Sequence, residues 1–248
     1  MEKKKPRPSE IDIYAHWEKE KKLSSNNEGS LVRQVILGGQ DGLVNVLGLI
    51  LGVAGATNDP KLIIIAGLAA TAAESISMAA VAYTSSKAEK EHYIKELEKE
   101  RWEIKNVPEV EREEIRLIYM KKGFRGNALD SAVDTICSNE KLWLETMMTE
   151  ELGLADGNKI NPKSEAVIVG FSSVIGSLVP LLPFIFLTGS TAIIGSLVFS
   201  ISVLFLVGAY KGKLMVGNWI KSGVEMMLVG FGAAIAGYAI GSYLGVNI

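Results

Sequence analysis

Five stretches of the chain are apolar almost without interruption: residues 35–57, 62–86, 166–187, 190–210 and 222–246. Each reaches the roughly 20 residues that a helix needs to cross a bilayer. Backbone amides cannot stay unpaired in lipid, so runs this long and uniform are predicted to be helices. The fold class follows: an all-α membrane protein with five transmembrane helices. Residues 87–165, between the second and third runs, are strongly charged and read as a three-helix insert. Its first helix continues the second span with no Gly or Pro and ends before Pro108, because the residue preceding a proline disfavours helix. The second covers about 108–122, with proline in its first turn and Gly123 as its stop. The third covers about 139–152 and stops at Gly153. Residues 125–138 are ambiguous between loop and a short fourth helix. The chain thus divides into a tail (1–30), two spans (31–86), the insert (87–165) and three further spans (166–248).

Charge orients this pattern. The net charge of −2 is uninformative, but of 26 Lys and Arg, 8 precede the first span, 14 lie in the insert and 3 lie around residues 211–221. Only Lys61 falls elsewhere. The positive-inside bias places the N-terminus, the insert and the 211–221 loop in the cytoplasm, hence N-in and C-out. The polar, Lys-rich N-terminus has no short apolar h-region, so no cleaved signal peptide is expected. Within it, residues 11–22 read either as an amphipathic surface helix, with Ile11, Tyr14 and Trp17 on one side, or as a basic topology-fixing tail. One cysteine, Cys137, excludes a disulfide framework and a cysteine metal cluster.

Several polar residues lie where lipid would be. Asp41 and Asn45 share a face of the first span, and Glu74 and Met78 share a face of the second. An acid within a span costs a few kcal/mol at least, so it normally faces a pathway or a partner. The blander reading of Asp41 is a cap on a helix broken at Gly42. Met78 alone would be packing, but beside a carboxylate it suits a transition metal as a soft ligand. Pro180 and Pro183 are predicted to kink the third span and free carbonyls that protein must satisfy. Glu225, near the cytoplasmic end of the fifth span, is either a proton-handling group or a snorkelling acid. Gly237, Gly241 and Gly245 form a helix-contact ladder, within or between subunits.

The insert's acids are paired. Glu100 and Glu103 sit at i, i+3, as do Glu111 and Glu114 beyond the Pro108 turn, which is expected to fold the two pairs together. Met147, Met148 and Glu151 follow on the third helix. Clustered carboxylates repel unless a cation joins them, and oxygen with thioether donors suits divalent transition metals. The alternative is a solvated face neutralised by Lys99, Arg101, Lys105 and Arg112.

These motifs carry a likeness. GGQDGLVNVLGLILGVAGAT, SISMAAVAYTSSKAE, the paired glutamates, MMTEELGL and GSLVPLLPF, in this order, resemble the vacuolar iron transporter family from about His16 to the C-terminus. The resemblance implies a homodimer that exports Fe2+ from the cytosol against protons, along a path at the dimer interface between the first two spans. It assigns Asp41 and Met78 to that path. It assigns Glu100, Glu103, Glu111, Glu114, Met147, Met148 and Glu151 to a cytoplasmic metal-binding domain. In plant-type members a second acid lies two turns before the methionine, where this chain has Ala70; Glu74 stands one turn before it instead. Ala82 stands where many bacterial members carry an acid, and Gln40 where Asn is common.

The leading expectation is therefore a proton-coupled exporter of Fe2+, with Mn2+, Co2+ or Zn2+ as further substrates. Its expected path residues are Asp41, Asn45, Glu74, Met78 and Glu225. Metal ions, protons, lipid and a second copy are its expected partners, with no nucleic acid and no permanently bound cofactor. The short termini point to a prokaryotic cell membrane, or to a vacuolar-type one in a eukaryote. A second expectation is a membrane-tethered di-iron ferroxidase, which would need two Glu-x-x-His pairs. The chain offers one, Glu89–His92, and its other histidine is His16. A third is a metal-binding scaffold without flux, which leaves the acids within the spans without purpose.

Overall fold

In the computed structural model, residues 28–57, 59–154, 157, 160–215 and 217–245 are described; the 11–22 segment lies outside them. Among the described residues the regular elements are all helical, with no strand. Five helices are long and apolar enough to cross a membrane. In chain order the elements are α1 (Glu28–Ala56), α2 (Pro60–Asn106), α3 (Pro108–Lys121), α4 (Gly126–Cys137) and α5 (Glu140–Thr146) with a π-helical turn (Met147–Glu151). Then come α6 (Pro162–Leu178), a 3-10 turn (Val179–Leu181), α7 (Leu182–Phe186), α8 (Ser190–Met215) and α9 (Trp219–Gly245). The ambiguous stretch is thus a helix, α4, and the third insert helix changes from α to π part-way along.

Helix starts follow local chemistry. Asp59 accepts from the Lys61 amide at 2.9 Å with Pro60 in the first turn of α2. Asn139, Asn161 and Asn218 do the same for α5, α6 and α9, at 3.1, 3.2 and 3.1 Å. These oxygens satisfy amides that a helix N-terminus leaves without partners. Gly123, with φ of 102°, ends the α3 turn in a conformation that L side chains avoid.

The chain forms two compact units, one reaching to Ala79 and resuming at Val167, the other Ala80–Ala166. In the first, α1 is central: Leu43, Val46, Leu47, Ile50 and Leu51 are buried against Ile63, Phe184, Leu204 and Met226. Its glycines let two helices approach closely. A methyl on Gly38 would overlap the Val169 carbonyl of α6, and one on Gly52 would lie 3.1 Å from the Gly237 carbonyl of α9. The ladder Gly237, Gly241 and Gly245 therefore packs against Gly48, Gly52 and Ala56 of the same chain, so these contacts are within the subunit. The kink at Pro180 has its partner too, since buried Ser196 donates to the Pro180 carbonyl at 2.7 Å.

This close approach makes a sharp test. A methyl at Gly241 collides with the Gly52 carbonyl, whereas one at Gly232 meets nothing within 4 Å. Gly241→Ala is expected to destabilise by about 1–3 kcal/mol, as overpacking does. Gly232→Ala should be neutral or slightly stabilising, since alanine is the better helix former. Melting temperatures of the two variants in detergent check the difference.

The second unit has its own core. Ile104 of α2, Ile115 of α3, Leu129, Val133 and Ile136 of α4, and Trp143 and Met147 enclose it. Arg112 pairs with Asp134, and Arg116 with Asp130 at 2.6 Å, tying α3 to α4 along their solvent edge.

Candidate metal sites

The insert site begins with a single residue. Val107 separates α2 from α3, its amide still bonded to the Glu103 carbonyl at 2.8 Å. Pro108 then opens α3 at a position that needs no amide donor. The chain reverses there, and the two glutamate pairs meet. Oxygens of Glu100, Glu103 and Glu111 lie within 4.8 Å of one another, and so do oxygens of Glu111, Glu114 and Glu151. Glu111 belongs to both groups.

Glu151 reaches this cluster because of the π-helical turn. The Leu152 amide bonds to the Met147 carbonyl, five residues back, at 3.2 Å. Such a turn accommodates one residue more than an α-turn and occurs often at functional sites. Met147 and Met148 are both buried here, at 0% and 2% exposure. Met147 packs within the apolar core, and Met148 is outside that core cluster. Lys122, at the end of α3, holds the turn through Glu150 at 2.5 Å, with its ammonium 5.2 Å from the Tyr119 ring centre.

The cluster is under electrostatic stress. Glu100 and Glu111 are 2% and 3% exposed, and each has one carboxylate oxygen with no hydrogen-bond partner. A buried charge without compensation costs several kcal/mol. Burial pushes the Glu111 carboxyl up to about 7, helped by the charges of Glu114, Glu100, Glu103 and Glu151. Glu151 also rises to about 7, through the atoms packed around it first and then Glu114 and Glu100, with Lys99 opposing. Glu100 is raised by burial against the pull of Lys99. Acids held in this way take a proton or a cation readily, and five converging carboxylates are a donor set for a divalent metal.

Not every charged residue of the insert joins in. Glu96 turns to His92, 3.9 Å away, and lies outside both groups. Of the four bases expected to neutralise the acids, Lys99 alone has a described ion pair with the cluster. Arg112 faces Asp134 and Lys105 lies 4.0 Å from Glu140.

The membrane-spanning unit gathers a smaller set. Asn45 donates to Asp41 at 3.3 Å, one helical turn away on α1. The Glu74 carboxyl of α2 lies within hydrogen-bonding reach of Asp41. Met78, half-buried, follows one turn later on the Glu74 side of α2. Gly42, next in sequence to Asp41, lets Ser173 and Ser177 of α6 approach α1, and Ser75 donates to Ser173 at 3.4 Å, which fixes α1, α2 and α6 together. Glu225 is exposed on α9, and no described interaction joins it to the Asp41–Glu74 pair.

The VIT family model matches residues 32–242. The chain belongs to the VIT family. A relative named vacuolar iron transporter 1, from Tulipa gesneriana, is 34% identical over 95% of this chain and 94% of its own. A protein of the same name from Oryza sativa is 34% identical, over 86% of this chain and 84% of its own. One named vacuolar iron transporter, from Toxoplasma gondii, is 33% identical over 94% and 81%. Family and relatives are transporters by name, not enzymes, and this chain is a multi-pass membrane protein. These VIT relatives come from plants and a parasite, and lend no support to the prokaryotic cell membrane expected above.

Proposed function

We propose that this chain is a metal transporter that carries Fe2+, and with it Mn2+, Co2+ or Zn2+, out of the cytosol in exchange for protons. The observation that carries the reading is the Asp41–Glu74 pair. Two carboxyls this close on apolar helices repel unless a proton or a cation lies between them. They can therefore hold either cargo but not both, and that competition is the exchange. Met78 adds a soft donor on the same side of α2, which favours transition metals over Ca2+ and Mg2+. Asn45 orients the Asp41 carboxylate. Glu225, near the cytoplasmic end of its span, takes or gives up protons there.

The insert's seven residues, Glu100, Glu103, Glu111, Glu114, Met147, Met148 and Glu151, collect the metal on the cytosolic side. This follows from the basic loops, which set N-in and C-out. A second copy completes the path. Asn45 is an exposed amide within a span, and α2 exposes small residues at Ala69, Ala72, Ala73 and Ser77. A polar group at that depth faces protein or water, not lipid, and small residues permit close helix contact. The names of the relatives favour a vacuolar-type membrane. No described feature favours ferroxidase chemistry, since His92 stands apart from the carboxylate cluster.

The test is Fe2+ uptake into proteoliposomes with and without an inside-acid pH gradient. Uptake several-fold faster with the gradient, with loss of protons from the lumen, is expected. Equal uptake in both conditions sinks the proton coupling. Metal binding with no uptake would leave the scaffold reading in its place.

A further inference from the structure

We propose that Lys99 is a tethered counter-ion of the carboxylate cluster, which an incoming divalent ion must displace and which keeps the bound metal easy to release. The inference rests on reading the cluster as a metal site. The Lys99 ammonium lies 3.2 Å from Glu103 and 3.6 Å from Glu100, two of the three acids in the first group. It touches one oxygen of Glu100 and leaves the other buried with no partner, so the group is only partly neutralised. The neighbouring bases are engaged elsewhere: Arg112 with Asp134, Arg116 with Asp130, Lys122 with Glu150. Among the described residues, Lys99 is the one cation paired with an acid of this group.

A divalent ion bound by Glu100, Glu103 and Glu111 would take the same oxygens. It would then stand within a few ångströms of a positive charge, a repulsion that even in water-like surroundings weakens binding by about tenfold. Lys99 can yield. Its side chain is 53% exposed, and a lysine reaches solvent on a flexible four-carbon stem. Metal-free, the ammonium relieves repulsion among the acids; metal-loaded, it swings out and lowers the affinity. A site meant to pass its metal on gains from such a competitor, since a bare triad would hold the ion longer.

Lys99→Met keeps the stem and removes the charge, and Lys99→Arg keeps the charge. The full chain in detergent at pH 8 is titrated with Mn2+ by calorimetry and melted with and without the metal. K99M is expected to bind Mn2+ about tenfold more tightly, to melt lower than wild type when metal-free, and to gain more from Mn2+; K99R should restore wild-type values. Mn2+ affinity in K99M that is unchanged or weaker overturns the inference. If wild type itself takes no Mn2+, the cluster is not a metal site. The counter-ion role is then decided by the metal-free melts alone, and K99M as stable as wild type overturns it.

Discussion

Asp41→Asn is expected to abolish gradient-driven metal flux while leaving Mn2+ binding by the insert unchanged. Asparagine keeps the shape of the side chain and its oxygen for the Asn45 amide. It removes the charge that a divalent ion needs and the carboxyl that shares reach with Glu74. The loss should be about a hundredfold or more, the scale on which breaking a buried charge interaction costs roughly 3–5 kcal/mol. Proteoliposome uptake measures the flux, and calorimetry on the same preparation measures the binding. Flux at the wild-type rate would place the exchange elsewhere in the spans. Glu74 then sets up the sharper comparison. Where plant-type members are expected to carry their acid, two turns before the methionine, this chain has Ala70. If Glu74 takes that role one turn along, Glu74→Ala should lose proton coupling, and adding Ala70→Glu to it should restore part of the flux.

What the sequence made legible depended on whether one element sufficed to specify it. A bilayer demands some twenty apolar residues, so all five spans were readable from runs in the chain alone. Their ends were less so. α8 extends to Met215, past the run that stops at 210, because Lys211 and Lys213 can lead their charges to the interface along apolar stems. The meeting of Glu100 and Glu103 with Glu111 was legible because Pro108 dictates where the helix stops. α4 carried a readable signal in Leu129, Val133 and Ile136, spaced i, i+4 and i+7, and these three do form one wall of the insert's core. The π-helical turn had no such signal. It depends on Met147 packing into that core while Lys122 holds Glu150, and both partners come from other parts of the fold. The glycine ladders were visible on α1 and α9, yet their pairing with each other within one subunit is a tertiary fact.

The same burial that stresses the cluster predicts its response to pH. Glu111 and Glu151 have carboxyls near 7 in the folded chain against an ordinary value of 4.5. Between those values the folded state holds more protons than the unfolded one, so stability falls as pH rises from about 4.5 to 7. The metal-free protein should therefore melt higher at pH 5 than at pH 8, opposite to a fold held by ordinary carboxylate salt bridges. Metal reverses the sign, because it binds the deprotonated acids. Both carboxyls are mostly protonated at pH 6 and mostly ionised at pH 8, so Mn2+ affinity should drop by about one to two orders of magnitude between pH 8 and pH 6 if both must ionise. Glu111→Gln removes one of the two protons and the residue common to both groups. It should flatten the pH dependence, weaken binding at pH 8, and raise the metal-free melting temperature there by relieving repulsion. Calorimetric titrations at the two pH values, with metal-free melts beside them, measure all three effects. An affinity independent of pH would mean that these acids do not hold the metal, even if the insert binds it.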